Sequence, residues 1–248
     1  MVLTALRGAL GFLSRLPLGR SEDAWEAFRT SPGAFPLAGY FVGALVALPL
    51  LVPGPAPTVA LLFVVGVYAV TGINHADGVT DLGDATVVHG GPAERRDVMT
   101  DTVVGTGGVL AVALVVLGLG TAGAALAGLP ARAALVVVTA EVGAKLGMAT
   151  LVCLGSAPHE GLGSALTANA SARSLVPAGV VALPAVALTW PRVTPGAAAL
   201  TAAVLASLVV FGWSRANLGG VSGDVLGATN EVARVAALHA GVVAWTRF

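Results

Sequence analysis

The stretch "PTVALLFVVGVYAVTGINHADGVTDLGDATVV", residues 57–88, decides how this chain is read. Its first half is apolar enough for lipid, and its second half sets Asp77, Asp81 and Asp84 one helical turn apart. An apolar run that opens onto three like charges reads as a membrane span ending at a polar lip. The rest of the chain agrees: 56% of its 248 residues are hydrophobic and 10% are charged, against about 25% charged in a typical soluble domain. Mean hydropathy is +0.88. Apolar runs recur from residue 34 to the C-terminus with no polar linker between them, so residues 1–248 are expected to form one integral membrane domain of the all-α class, a polytopic helix bundle.

Six spans are expected, at about 34–52, 57–73, 105–128, 132–154, 174–190 and 195–213. A seventh run, about 232–247, carries Arg234 and His239 and either spans or lies against the bundle. The opening "MVLTALRGALGFLSRLPLG" has leucines every three or four residues, interrupted by Arg7 and Arg15. It reads as a short helix in the membrane interface, ended near Pro17, and not as a cleaved leader.

The links between spans alternate. Those at 53–57, 128–131 and 190–195 are tight and Pro-rich, whereas those at 74–104, 155–173 and 214–231 are long and polar, with room for a site. With the N-terminus in the cytoplasm, Arg7, Arg15, Arg20, Arg29, Arg95, Arg96, Arg173 and Arg215 fall inside, against Arg132 and Arg192 outside, as the positive-inside rule favours. Every Asp and Glu except Glu141 lies in the N-terminal segment or in a long link and its flanks. The expected product is a multi-pass protein of the cell membrane with a cytoplasmic site. Zero net charge gives no reason to expect a nucleic-acid partner. The single cysteine, Cys153, cannot form a disulfide within the chain.

On a helix, Asp77, Asp81 and Asp84 point within about 60° of one another, and Asn74 joins their arc. A solvated acidic face is one reading. The stretch continues an apolar span, however, and unpaired carboxylates near a low-dielectric boundary are costly and usually functional. A divalent cation removes the repulsion, and oxygen ligands without cysteine favour Mg²⁺ or Mn²⁺ over zinc. Mg²⁺ is typically shared between carboxylates and a substrate's phosphates, which points to phosphoryl chemistry.

Downstream, Glu94, Asp97 and Asp101 repeat the three-and-four spacing beside Arg95 and Arg96, whose guanidinium groups either clamp a pyrophosphate or only enforce topology. "VVGTGG", including Gly105, opens the third span with backbone N–H groups that can receive an anion, or packs as membrane glycines do. His159 and Glu160 in "APHEGLGSALT" and Asp224, Asn230 and Glu231 in "NLGGVSGDVLGATNEVAR" fall on the same side. Glu141 and Lys145, four apart in the fourth span, read as a buried ion pair or an ion pathway.

In order and spacing, "FLSRLP", "HADGVTDLGDA", "ERRDVMTDTVVGTGGVLA", "HEGLG" and "LGGVSGDVLGATNE" resemble the cobalamin synthases, the adenosylcobinamide-GDP ribazoletransferases. The resemblance covers most of the chain. It implies a membrane enzyme of late vitamin B12 assembly that requires Mg²⁺. Such an enzyme moves cobinamide phosphate from adenosylcobinamide-GDP to α-ribazole or its 5′-phosphate and releases GMP. It also implies Asp77, Asp81 and Asp84 as metal ligands, and these with Asp101 as catalytic residues. His75, Arg95, Arg96, Gly105, His159, Asp224, Asn230 and Glu231 are then substrate contacts. The chain departs from the family pattern at Val103, where an arginine is usual, and at Lys145 and His159, which stand where arginines are common. A homo-oligomer is compatible with this reading. Two rival readings are a CDP-alcohol phosphotransferase-like enzyme, although no Ala-Arg follows Asp77 and Gly78, and an ion-coupled transporter using Glu141 and Lys145, although no internal repeat is evident.

Overall fold

In lipid a backbone must satisfy its own hydrogen bonds, so the apolar runs can only be helices. The computed structural model, which describes residues 1–19 and 21–248, bears this out with no strand among the described residues. Arg20, counted above among the cytoplasmic cations, lies outside them.

In chain order the helices are α1 (Val2–Leu13), α2 (Glu22–Arg29), α3 (Ala34–Ala47), α4 (Ala56–Thr71), α5 (Asn74–Val87), α6 (Pro92–Met99), α7 (Thr106–Ala127), α8 (Leu135–Leu154), α9 (Leu162–Thr167), α10 (Leu175–Ala182), α11 (Val193–Asn217) and α12 (Gly223–Arg247). Short 3-10 turns extend α3 to Leu51, start α8 at Ala131 and lengthen α10 to Ala172–Thr189. Five segments are long and apolar enough to cross a membrane: Ala34–Leu51, Thr106–Ala127, Ala131–Leu154, Ala172–Thr189 and Val193–Asn217. The 16-residue α4 makes a sixth only together with α5. Charged residues keep α12 off that list, yet it runs the depth of the bundle. Its N-terminal turn touches α5, His239 hydrogen-bonds the Gly118 carbonyl of α7, and Arg192 from the far end reaches the Trp245 carbonyl.

Helix α8 is the axis of the bundle, with every residue from Val136 to Cys153 buried. Small residues let its neighbours approach backbone to backbone, the main route to helix association where water supplies no hydrophobic drive. Gly39 and Gly43 of α3 lie against Val142 and Val138, and Gly143 and Gly147 of α8 receive Ala203 and Ser207 of α11. The opposite faces of the outer helices, such as Val109, Leu110, Leu114 and Leu117 on α7, are exposed apolar surface for lipid.

One local expectation is corrected at the N-terminus. Helix α1 stops at Leu13 and not near Pro17, because Ser14 turns extended and the Arg15 N–H donates to the Val70 carbonyl, pinning this segment to the end of α4. A second N-terminal helix, α2, follows. It is capped by the Ser21 hydroxyl and held to α1 through Phe12, Trp25 and Phe28.

A second correction concerns the site. The aspartate stretch does not prolong the second span: the chain breaks after Thr71 and turns by 98°, so α5 lies across the mouth of the bundle. Gly72 makes the break with φ 74° and ψ −171°, a region open essentially only to glycine. A Cβ there would also press on the Arg15 side chain. Gly72→Ala should therefore destabilise the protein by about 1–3 kcal/mol, seen as a lowered unfolding midpoint in detergent.

Candidate active site

The bend brings the three polar links together. Gly78 of α5 lies directly on the Asp224 backbone at the start of α12, and Gly227, one turn on, packs on His75. A side chain at either position would force the helices apart. Two clefts open beside this contact. One, of about 360 Å³, is lined by Asn74, His75, Asp77, His159, Ser222 and Asp224 among others. The other, of about 210 Å³, is lined by Arg96, Asp97, Met99, His159, Ser222 and Asp224. They meet at His159, Ser222 and Asp224, so segments from all three links face one space.

The four aspartates of this region divide into two kinds. Asp77 is exposed in the cleft, and Asp224 borders both clefts with one oxygen accepting from the Ser222 hydroxyl. Asp81 sits one turn beyond Asp77. Its burial, then the proximity of Asp77, Asp224 and Asp84, pushes its carboxyl up to about 6. None of the four forms an ion pair among the described residues.

Asp84 is different. It is buried, and its two oxygens accept the backbone N–H groups of Gly105 at 2.7 Å and Gly108 at 2.8 Å, at the N-terminus of α7. The glycine-rich turn thus does receive an anion, and the anion is the protein's own carboxylate. Gly105 and Gly108 are required because any side chain there would collide with Asp84.

The remaining sequence candidates are spread. Arg96 lines a cleft and donates to the Leu218 carbonyl. Arg95 instead donates to the carbonyls of Ala85 and Gly90 and covers the Trp213 ring, closing the end of α5. Helix α6 ends at Met99, so Asp101 leaves the expected helical arc; it is exposed and accepts from the Val103 N–H. His159 is exposed at the junction of the clefts.

Asn230 and Glu231 are fully buried beneath the floor. Glu231 pairs with Arg234, Arg234 with Glu141, and Glu141 with Lys145, so two acids and two bases close a neutral network between α8 and α12. The Glu141–Lys145 spacing disclosed one edge of it. The partners of Arg234 were not legible in the sequence, because they lie 93 residues away or on the preceding turn of its own helix.

Among known proteins, residues 5–242 match the family described as cobalamin-5-phosphate synthase. The chain belongs to that family. A protein of Halorubrum lacusprofundi named adenosylcobinamide-GDP ribazoletransferase is 61% identical with both chains covered in full. Proteins of the same name from Haloquadratum walsbyi and Halobacterium salinarum are 47% and 52% identical, over 99% and 77% of this chain and 99% and 96% of theirs. No solved structure matches. Membership makes the chain a transferase of cobalamin biosynthesis.

Two outcomes are expected. Asp84→Ala strands two N–H groups at the head of α7 and should cost about 3 kcal/mol of stability, whereas Asp77→Ala, at an exposed position, should leave the unfolding midpoint nearly unchanged. For Asp81, a folded-state pKa above the ordinary carboxylate value means the folded protein binds the proton more tightly. Metal-free stability should then fall as pH rises through the window from about 4 to about 6. Denaturant titration of wild type and Asp81→Asn checks this, the variant showing the flatter profile.

Proposed function

We propose that the chain transfers cobinamide phosphate from adenosylcobinamide-GDP to α-ribazole or its 5′-phosphate, releasing GMP, with Mg²⁺ as cofactor. One observation carries the proposal: Asp77 and Asp224 line a cleft, Asp81 stands close to both, and none of the three forms an ion pair among the described residues. No three His, Cys, Asp or Glu side chains among the described residues form a ready-made metal cage. Mg²⁺ does not need one, since it is commonly held by one or two carboxylates and completed by phosphates and water. Asp77 and Asp81 are the residues that would hold it. When bound, the ion supplies charge neutralisation for a diphosphate.

The chain's own groups account for the rest. A ribose hydroxyl of the acceptor attacks the phosphorus that bears cobinamide, the bond to GMP breaks, and the hydroxyl proton goes to a base. Asp224 borders both clefts and takes that part better than Asp84, whose oxygens are occupied, or Asp101, which lies outside the clefts. Arg96 on the cleft wall offsets charge on the departing GMP. Asp84 acts by positioning, since it fixes α5 to α7. The relatives' name supports the substrates, and the position of α5 and the start of α12 supports the shared site.

The clefts face the cytoplasm in this reading. Arg7, Arg15, Arg29, Arg95, Arg96, Arg173 and Arg215 lie toward that end of the bundle, and Arg132, Arg192 and Arg247 toward the other, as the positive-inside rule favours. A lipid-facing wall also gives a large corrin a surface to rest on while its nucleotide arm enters the clefts.

The test incubates purified protein with adenosylcobinamide-GDP and α-ribazole, with Mg²⁺ or with EDTA, and follows GMP. Release should require Mg²⁺ and acceptor, and Asp77→Ala or Asp81→Ala should lower it by about a thousandfold or more in folded protein, as loss of a principal electrostatic contact does. Release of GMP at the wild-type rate from either variant, or in EDTA, overturns the assignment.

A further inference from the structure

The buried charge network does more than balance itself, because its last member is a wall of the cleft. From Glu231, the Asn230 side chain continues the chain of contacts to His75. Asn230 Nδ2 donates to Glu231 Oε1 at 3.1 Å and approaches His75 Nδ1 at 3.1 Å. A carboxylate can only accept, so Glu231 dictates which end of the Asn230 amide faces it. The second N–H of the same nitrogen is then left for His75 Nδ1, and Asn230 Oδ1 is left without a partner. A ring nitrogen that accepts an N–H carries no proton. The single proton of the His75 imidazole therefore sits on Nε2, which has no partner among the described residues, on a side chain that is 10% exposed and lines the cleft.

Glu231 is itself held by Arg234, whose other side is held by Glu141 and, through it, by Lys145. All four are buried to within 1% of complete exclusion from solvent. Glu231 cannot rotate away without stranding Arg234 in the bundle.

We propose that this network sets the His75 tautomer, so that His75 presents a neutral Nε2–H to a phosphate oxygen of the substrate, with Arg234, Glu231 and Asn230 as positioning residues. The chemical reason is the setting. A second cation on this wall would compete with a metal for Asp77, two residues along α5, whereas a neutral donor binds phosphate oxygen and leaves the carboxylate free. The placement of His75 against a phosphate rests on the transferase reading above; its tautomer does not.

The experiment uses the full-length protein in nanodiscs with isotope-labelled histidine, the His75 signals being assigned by their loss in His75→Gln. Ring carbon and nitrogen shifts should report the Nε2–H form without substrate, and the Nε2 signal should move on titration with Mg²⁺ and GDP. Asn230→Asp replaces the donor by an acceptor and should shift the proton to Nδ1. His75→Leu should lose about 10- to 100-fold in GMP release, the range of one hydrogen bond to a charged group, and His75→Gln, which keeps an N–H near the Nε2 position, should recover part of that loss. An Nδ1–H or doubly protonated ring in the wild type overturns the tautomer, and unchanged release by His75→Leu overturns the phosphate contact. If the wild type releases no GMP at all, the transferase reading fails, while the tautomer and the response to GDP stand or fall on their own spectra.

Discussion

Arg234 sits in the middle of the bundle with Glu141 of α8 on one side and Glu231 of its own helix on the other, and Lys145 completes the set. Burying four charges is expensive, and close pairing offsets the cost only if no member is lost. Such a network adds little net stability against an apolar core of the same volume. It does make the register of α12 on α8 nearly all-or-none, because a shift by one residue would leave a charge alone in a low-dielectric interior. The start of α12, with Ser222, Asp224 and Gly227, is placed by that register.

The second element of the site is placed by a different constraint. Helix α5 leaves the end of α4 at 98° and is clamped between two neighbours by close approach of backbone: Gly78 and His75 meet α12, and Gly83 meets Gly107 of α7. Asp84 completes the clamp from α5 to α7 by accepting two backbone N–H groups. The acidic helix is thus held at one end by packing on α12 and at the other by its own carboxylate on α7. Asp77 lies within the first clamp and Asp81 between the two, and neither forms an ion pair among the described residues. Burial and the like charges held close by are why Asp81 keeps its proton more tightly than an ordinary carboxylate.

The division of labour among the acids follows from burial and not from spacing. Asp77, Asp81 and Asp84 share an arc on α5, so any argument from periodicity treats them alike. The structure separates them because α7 packs against the C-terminal half of that arc and the cleft opens beside the N-terminal half. Arg95 and Arg96 part in the same way: neighbours in sequence point about 100° apart on a helix, so one ties down the end of α5 and the other reaches the cleft. Asn230 and Glu231 lie under the floor, where the Asn230 side chain reaches His75 on the cleft wall.

Composition and the run of apolar segments by themselves determined that this is an all-α membrane protein with its polarity gathered at one end, because the bilayer admits few other solutions to the backbone's hydrogen-bonding needs. The acidic motif also marked the candidate site, since carboxylates at a lipid boundary need a reason. Tertiary structure alone decided which of those carboxylates is free, that the second span ends in a right-angled break at Gly72, that α12 crosses the bundle despite its charges, and that Arg234 has partners. Each depends on contacts between residues far apart in the chain, and a periodic pattern records only which face of a helix is buried, not what it is buried against.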